Sequence, residues 1–256
     1  MRKPVMAANW KMHKTVKESI DFVKNLKDSV LNTQDVEVVI CAPFTLLGSL
    51  KEILSNTHIG LGAQNMYWEE KGAFTGEISP LMLVDIGCKY VIIGHSERRQ
   101  YFGENDVNVN LKFKTALKHN LIPIVCVGEK LAERELGQTD TVVSSQINFA
   151  FSDIKVTSEN VGKIIVAYEP VWAIGTGKVC DPVEANRVIG LIRKNLSEKY
   201  SDEIANKIRI LYGGSVSPDN VSDQMKQPNI DGGLVGGASL KPDSFSILVE
   251  KAKQNL

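Results

Sequence analysis

The sequence predicts an α/β fold, a (β/α)8 barrel in which eight parallel strands are each followed by a helix. Three observations predict it: eight short apolar runs recur along the chain, helix-patterned stretches lie between them, and polar or glycine-rich residues follow nearly every run. The apolar runs recur roughly every 30 residues, and eight such units fill about 250 residues, the usual size of this barrel. We expect one domain over residues 1–256, because no linker or break in composition divides the chain.

The apolar runs have the character of strands that are buried on both faces. Each is apolar, often β-branched, on consecutive positions, without the alternation of a half-exposed strand. In chain order the runs read PVMAA, VEVVICA, HIGLGA, YVIIG, LIPIVCV, KIIVAY, RILY and GGLVG. Such runs, alternating with helices, are typical of a parallel sheet with helical crossovers.

The stretches between the runs carry a helical period. Residues 15–30, TVKESIDFVKNLKDSV, place apolar side chains at Val16, Ile20, Val23, Leu26 and Val30, which predicts one helix. The segment DPVEANRVIGLIRKNLSEKY opens with an Asp-Pro pair, a helix start signal. DVNVNLKFKTALKHN and KPDSFSILVEKAKQNL show the same pattern.

A closed barrel is favoured over an open, doubly wound sheet. The dinucleotide-binding form of the open sheet needs G-x-G-x-x-G after its first strand, where this chain has NWKMHK. A barrel gathers the ends of all its strands around one mouth, so the residues that follow the strands could meet there. They are Asn9 and Lys11, Gln64 and Asn65, His95 and Glu97, Glu129, Glu169, Gly213 to Ser215, and Gly236 and Gly237.

Composition favours a small-molecule partner in a reducing compartment. The 30 basic and 30 acidic residues cancel, so no charge field indicates nucleic acid or an anionic membrane. No apolar run approaches the length of a membrane span, and the stretch 4–8 is too short for a signal-peptide core. The four cysteines form no C-x-x-C pair, so we expect a cytoplasmic protein; they are Cys41, Cys88, Cys126 and Cys180.

The segment YVIIGHSERR, residues 90–99, admits three interpretations: a nucleophile turn, a metal half-site or a proton-transfer site. A nucleophile elbow needs a second glycine where this chain has Arg98, which makes a serine hydrolase improbable. The histidines lack zinc-site spacing, so we expect no metal, and we expect His58 and His119 to be ordinary surface residues. His95 differs, because it directly follows a predicted strand.

Two glycine pairs follow the seventh and eighth predicted strands, in YGGS and VGGAS. Barrels often bind phosphate at this place through backbone N–H groups, although either pair alone could simply turn the chain. GTGKV imitates the end of a nucleotide-binding loop, but Trp172 and Val179 replace its first glycine and its Ser or Thr. The segment PVWAIGTGK is either a surface loop or a mobile lid.

Each charged residue at a strand end also admits two interpretations. Glu169 is either a carboxylate in solvent or a base held at the mouth, and Lys11 is either a solvated charge or a cation aimed at a substrate anion. Glu97 and Arg98 could simply pair with each other.

The motifs taken together resemble the triosephosphate isomerase family, in the family's order and over essentially the full chain. They are NWKMH, GAQNMYWEEKGAFTGEIS, IIGHSERR, CVGE, AYEPVWAIGTGK, YGGSV and DGGLVGGASL. The resemblance implies a TIM barrel that interconverts dihydroxyacetone phosphate and D-glyceraldehyde 3-phosphate through an enediolate. It also implies that the reaction uses no cofactor and no metal.

The resemblance also implies a role for each site residue. Glu169 would be the base that moves a proton between two carbons, and His95, as neutral imidazole, would polarise the carbonyl. Lys11 would stabilise the oxyanion and attract the phosphate, with Asn9 beside it and Glu97 in support. The proton-transfer interpretation of residues 90–99 is therefore the one we adopt.

Two further features are implied by the resemblance. The lid Pro170 to Lys178 would close so that the Gly175 N–H joins N–H groups of the phosphate site, which are those of Ser215, Gly236 and Gly237. The long loop 64–79 would insert into a partner subunit, with Thr75 near Asn9 and Lys11 of the partner subunit, which implies a homodimer.

The sequence departs from the family outside its motifs, and other functions remain open. Cys180 follows the lid in place of a smaller residue, and the next helix lacks a glutamine and a histidine that many relatives carry; these departures bear on the rate of lid closure and on sensitivity to oxidation. The main alternative is a non-catalytic or other sugar-phosphate-binding barrel. A non-catalytic barrel has no need of Glu169, His95 and Lys11 together. Another aldose–ketose phosphate isomerase could use the same base on a longer sugar, and we would expect it to have a more open mouth and a shorter or absent lid. A structural or interaction protein would leave the glycine pairs unexplained.

Overall fold

Eight parallel strands close into a barrel in the computed structural model, which describes residues 2–175 and 178–253. Each strand pairs with its neighbours in chain order, and β1 pairs with β8 in the register Val5 to Gly232. This confirms the predicted (β/α)8 fold. The strands are β1 Val5–Asn9, β2 Glu37–Ala42, β3 Gly60–Ala63, β4 Tyr90–Ile93, β5 Ile122–Val127, β6 Ile165–Tyr168, β7 Arg209–Tyr212 and β8 Gly232–Val235.

Helices connect successive strands and cover the outside of the barrel. The α-helices are α1 Val16–Lys24, α2 Asp28–Leu31, α3 Leu47–Leu54, α4 Pro80–Asp85, α5 Ser96–Tyr101, α6 Asp106–Lys118, α7 Leu131–Glu135, α8 Thr139–Ala150, α9 Pro182–Lys199, α10 Asp202–Ala205, α11 Val221–Met225 and α12 Pro242–Lys253. Short 3₁₀ helices lie at Phe44–Leu46, Val161–Lys163, Val171–Ala173 and Gly237–Leu240. Within the described residues, no helix combines the length and the apolar character needed to cross a membrane.

The single helix predicted over residues 15–30 is wrong, because the structure divides this stretch into α1 and α2. α1 begins with a capping box between Thr15 and Glu18 and ends at Asn25, and the backbone is extended again at Lys27. The predicted apolar stripe is also displaced, because Val16 is exposed while Ser19 is buried. The hydroxyl of Ser19 is satisfied by donating to the Val16 carbonyl at 2.7 Å, which lets a serine occupy the buried face.

The core has two layers that separate alternate residues of each strand. One cluster, built of strand residues such as Val39, Cys41, Ile124 and Ala167, fills the inside of the barrel. The larger cluster lies between the strands and the helices and includes the intervening strand residues, such as Ile40. Because every strand runs in the same direction, all eight carboxyl ends reach the same rim.

The long loop 64–79 is folded on its own aromatic side chains. The Tyr67 ring stacks on Trp68 with centroids 4.0 Å apart and lies 4.7 Å from the Phe74 ring. The Tyr67 N–H donates to the Ile78 carbonyl at 2.8 Å and closes the base of the loop. This arrangement leaves Thr75 exposed.

Candidate active site

A cavity of about 220 Å³ opens at the carboxyl ends of the strands. It brings together most of the residues predicted for the site, namely Asn9, Lys11, His95, Glu169, Gly175, Ser215, Gly236 and Gly237. Glu97 does not line the cavity but contacts it through the Lys11 amine, and Thr75 lies apart on the exposed loop. Residues 176 and 177 of the predicted lid lie outside the described residues.

Glu169 follows β6 directly and is held by both of its carboxylate oxygens. Its backbone N–H donates to the Val127 carbonyl at 2.7 Å, which continues the pairing of β5 with β6. Oε1 lies 2.9 Å from His95 Nε2, and Oε2 accepts the Ser96 N–H at 2.9 Å. With 2% of its surface exposed and one protein donor at each oxygen, this carboxylate is held by protein groups rather than by solvent.

His95 is the N-cap residue of α5, and its hydrogen bonds define its tautomer. Nδ1 accepts the Glu97 N–H at 3.2 Å, so the ring proton lies on Nε2 and points to Glu169. The same bond opposes a second proton on Nδ1. The geometry is therefore that of a neutral imidazole with one donor directed into the site.

The protonation of this pair depends on contacts that act in opposite directions. Burial alone would lower the pKa of His95, but the carboxylates of Glu169 and Glu97 outweigh it and raise that pKa. Burial alone would raise the pKa of Glu169, but His95, the Ser96 N–H and Lys11 outweigh it and lower that pKa. Glu169 is therefore an ionised carboxylate near neutral pH, ready to accept a proton.

Lys11 is fixed through its backbone and reaches across the mouth. It adopts a left-handed conformation with φ of 52°, its N–H donates to Asn9 Oδ1 at 3.1 Å, and its carbonyl accepts from Gln64 Nε2 at 3.0 Å. The amine contacts Glu97 Oε1 at 2.6 Å. A Cβ placed on Gly236 would lie 3.3 Å from Lys11 Cε, so the lysine side chain passes beside the glycine-rich rim.

The glycines of the rim have different functions that the sequence does not distinguish. A Cβ on Gly213 would lie 2.9 Å from Glu169 Cγ, so this glycine makes room for the carboxylate side chain. Gly237, in contrast, has open space where a Cβ would be, toward the cavity that it lines. The motif YGGS indicated phosphate binding or a simple turn, and the space that Gly213 leaves beside Glu169 emerges from the structure.

The beginning of the predicted lid is tied to the fully buried Glu129. This carboxylate accepts the Trp172 indole N–H at 2.8 Å and the Tyr168 hydroxyl at 3.1 Å. The Arg134 guanidinium lies 4.5 Å from the centre of the Trp172 ring. These contacts connect Glu129 to the segment that follows Glu169. The sequence marks Glu129 only as a carboxylate at a strand end and indicates no role for it.

The other histidines do not line this cavity. Across the part of the chain that the structure describes, no group of three or more His, Cys, Asp or Glu side chains is placed to hold a metal ion. His58 is exposed, as predicted for a surface histidine. His119 is largely covered, because its Nε2 lies 3.0 Å from Glu70 Oε1 beneath the loop 64–79.

The fold and the cavity define a class: a (β/α)8 barrel with a buried carboxylate and imidazole, a lysine, and a glycine-rich rim at the ends of its strands. The profile of the family described as triosephosphate isomerase matches residues 4–252. A triosephosphate isomerase of Clostridium tetani is 54% identical over 97% of this chain and 96% of its own length. The triosephosphate isomerase of Dictyoglomus thermophilum is 53% identical over 98% of this chain and 100% of its own length. This chain belongs to the triosephosphate isomerase family.

Proposed function

We propose that this protein interconverts dihydroxyacetone phosphate and D-glyceraldehyde 3-phosphate by proton transfer through an enediolate. The observation that supports this best is the buried contact of Glu169 with His95, 2.9 Å between Oε1 and Nε2, at the edge of the cavity that Lys11 also lines. Family membership supports the same reaction.

Glu169 is the proposed base. It leaves the Ser96 N–H, takes a proton from the carbon beside the carbonyl group, and returns it to the neighbouring carbon. A carboxylate that has lost its protein donors in a site without water is a stronger base than one in solution. Gly213 supplies space beside the side chain for this movement.

His95 and Lys11 are proposed to stabilise the oxygens of the enediolate. The Nε2–H of His95, released from Glu169, donates to the carbonyl oxygen as negative charge develops there. When the carboxylate moves away, burial and the Glu97 N–H on Nδ1 keep the imidazole neutral. The Lys11 amine adds a positive charge, while Asn9 holds the backbone of Lys11 and Glu97 holds its amine.

The glycine-rich rim is proposed to hold the phosphate group through backbone N–H groups. Ser215, Gly236 and Gly237 line the side of the cavity formed by the loops after β7 and β8, and Gly175 lines it from the lid segment. Glycine lets the backbone approach the phosphate oxygens closely. Closure of the lid 170–178 would exclude water and slow the loss of phosphate from the enediolate.

We further infer that the protein acts as a homodimer in the cytoplasm and that residues 1–256 form one domain. The exposed loop 64–79 and the helix after it carry apolar side chains in solvent, with Phe74 40% and Met82 56% exposed. Met12, beside Lys11, is 94% exposed. Exposed apolar side chains of this size are typical of a surface that a second copy covers.

The alternatives predict a different site. A non-catalytic phosphate-binding barrel needs the glycine-rich rim but has no use for a carboxylate and an imidazole buried in contact. An isomerase for a longer sugar phosphate needs a larger site, whereas the cavity here has a volume of about 220 Å³.

The test is conversion of dihydroxyacetone phosphate by the purified protein in the presence of a metal chelator. Glu169→Gln removes the base while keeping the shape of the side chain, so turnover should fall at least ~1,000-fold, about 4 kcal/mol in activation free energy. The matched control is Glu198→Gln, which changes a carboxylate that is 65% exposed on α9. We expect the control to retain full turnover.

Absence of turnover in the unmodified protein, together with retained binding of inorganic phosphate, would establish the non-catalytic barrel instead. Turnover that survives in Glu169→Gln would show that another group is the base.

A further inference from the structure

We propose that Gln146, on α8, is a positioning residue for the catalytic base and for the start of the lid. This inference rests on the proposed function. Gln146 does not line the cavity of the active site, and its side-chain amide is hydrogen-bonded to Gly128. It acts through the backbone N–H and carbonyl of Gly128, the first residue after β5.

The side-chain amide of Gln146 binds both polar groups of Gly128. Its Oε1 accepts the Gly128 N–H at 2.7 Å, and its Nε2 donates to the Gly128 carbonyl at 3.2 Å. A neighbouring strand would offer the same donor and acceptor to Gly128. The glutamine therefore continues the hydrogen bonding of the barrel by one residue beyond the end of β5.

The residues on either side of Gly128 hold the base and the lid. The Val127 carbonyl accepts the Glu169 N–H at 2.7 Å, and the Glu129 carbonyl accepts the Val171 N–H at 3.1 Å. The carboxylate of Glu129 also accepts the Trp172 indole N–H at 2.8 Å. The short segment 127–129 is therefore the support on which both Glu169 and the first residues of the lid rest.

Gly128 itself is in close backbone contact with Glu169. A Cβ at position 128 would collide with the carbonyl oxygen of Glu169, so only glycine lets the two backbones meet. Any displacement of the Gly128 peptide is consequently passed directly to the backbone of the base.

Space for such a displacement exists behind the site. A second cavity of about 280 Å³ is lined by Ser96, Gly128, Gln146 and Val171, among others. Ser96 is the residue whose N–H holds the Glu169 carboxylate. Without the amide of Gln146, the Gly128 peptide can move into this cavity, and Glu169 moves with it.

The test compares Gln146→Met with the unmodified protein in the conversion of dihydroxyacetone phosphate. Methionine keeps the length and volume of the side chain but cannot pair with a peptide. Because a misplacement of about 1 Å can cost roughly 100-fold in rate, we expect kcat to fall between ~10- and ~100-fold. The KM and the inhibition constant of inorganic phosphate should change less than ~2-fold, since the phosphate rim lies on β7 and β8.

Two further variants make the result decisive. Gln100→Met alters an exposed glutamine that lines the same second cavity, and it should leave kcat unchanged. Gln146→Asn keeps an amide but shortens the side chain by one methylene, so the amide cannot bind both the N–H and the carbonyl of Gly128. This variant should lower kcat as well. It replaces the methionine variant if that variant does not fold. Melting curves define the temperature at which each variant is fully folded, and kcat is measured there.

A folded Gln146 variant with the kcat of the unmodified protein would overturn the inference. A variant that raises KM and the inhibition constant of inorganic phosphate while kcat stays constant would overturn it as well. An unmodified protein without turnover would overturn the proposed function, and the positioning role with it. The two failures are thus distinguishable.

Discussion

His95 and Glu169 meet where both side chains are almost fully buried, with 6% and 2% of their surfaces exposed. The carboxylate raises the pKa of the imidazole, and the imidazole contributes to lowering the pKa of the carboxyl group. Each pKa therefore depends on the charge of the other group, and removing the charge of one group should shift the pKa of its partner.

Glu169→Gln should lower the pKa of His95 relative to the unmodified protein. With the largest opposing contact gone, the burial of the imidazole disfavours its charged form. NMR titration of the His95 ring measures both values. The control is Glu198→Gln, which should leave the His95 titration unchanged, and an equal pKa in both proteins would show that Glu169 does not govern it.

The same pair gives the unmodified protein a pH-dependent stability. The raised pKa of His95 contributes stability that is fully present below the unfolded value of about 6.5 and is lost as pH rises through the folded pKa. The lowered pKa of Glu169 contributes stability that is present above the unfolded value of about 4.3 and is lost as pH falls through the folded pKa. Relative to Glu169→Gln, the unmodified protein should thus gain stability as pH falls toward about 6.5 and lose it again in acid.

For single residues, the sequence predicted which side chains gather at the cavity but not how they are held. His95 and Glu169 were candidates because each follows an apolar run and strand ends in a barrel share one rim, while their roles came from the family resemblance. The contribution of Gly213 could not be found in this way, because its purpose is the space beside Glu169 and space leaves no pattern in the chain. Gln64 and Gln146 act through backbone groups of distant residues, which no local spacing records.

Among the elements, α9 shows how a capping residue fixes the end of a neighbouring loop. The helix has 18 residues and begins at Pro182, shortly after the predicted lid 170–178. The Asp181 carboxylate accepts the N–H groups of Val183 and Glu184 at 2.9 and 3.3 Å, and Pro182 occupies the first helical position. The Asp-Pro start signal in the sequence predicted this beginning correctly, because both residues act locally.

Asp181→Ala should destabilise the protein by about 1 kcal/mol, the usual cost of losing an N-cap carboxylate. Two N–H groups at the start of α9 would then have only water as a partner. Urea unfolding followed by circular dichroism measures the free energy of unfolding. Asp35→Ala, at an exposed aspartate in a turn, is the matched control and should change it by less than ~0.5 kcal/mol.

The division of residues 15–30 into α1 and α2 shows where the elements could not be predicted. The apolar spacing continues across the break, so periodicity alone indicated one helix. Asn25 ends α1 locally, with its side-chain amide on the Asp21 carbonyl at 2.7 Å. The tertiary contribution comes from Val30, which the new turn that starts at Lys27 packs against other side chains in the core. Such contacts appear only when the rest of the barrel is present.

For the molecule as a whole, the architecture followed from the sequence more completely than the site did. Eight buried runs in parallel order leave few topologies, and the closed barrel in chain order is one of them. The assembly of two chains does not follow from the same reasoning, because loop 64–79 packs well on its own aromatic rings. Its exposed side chains, however, lead to a testable expectation.

Shortening the loop between residues 69 and 77 should give monomers of low activity. The deletion removes Thr75 and Phe74 but keeps the hydrogen bond from Tyr67 to Ile78 that closes the base of the loop. Sedimentation measures the mass, and the isomerase assay measures the activity. Thr75→Ser, with an intact loop, serves as the control and should remain dimeric, while an active dimer with the short loop would remove this loop from the interface.

The pairing of β1 with β8 also has a consequence for how the protein is made. Val5 lies in register with Gly232, and its N–H donates to the Asp231 carbonyl at 2.9 Å, so the ring of strands cannot close until the eighth strand is available to pair with the first. A chain that has paired only its first seven strands keeps two strand edges without a partner, and unpaired edges favour misassembly. Pairing of residues 232–235 with β1 removes both edges in one step.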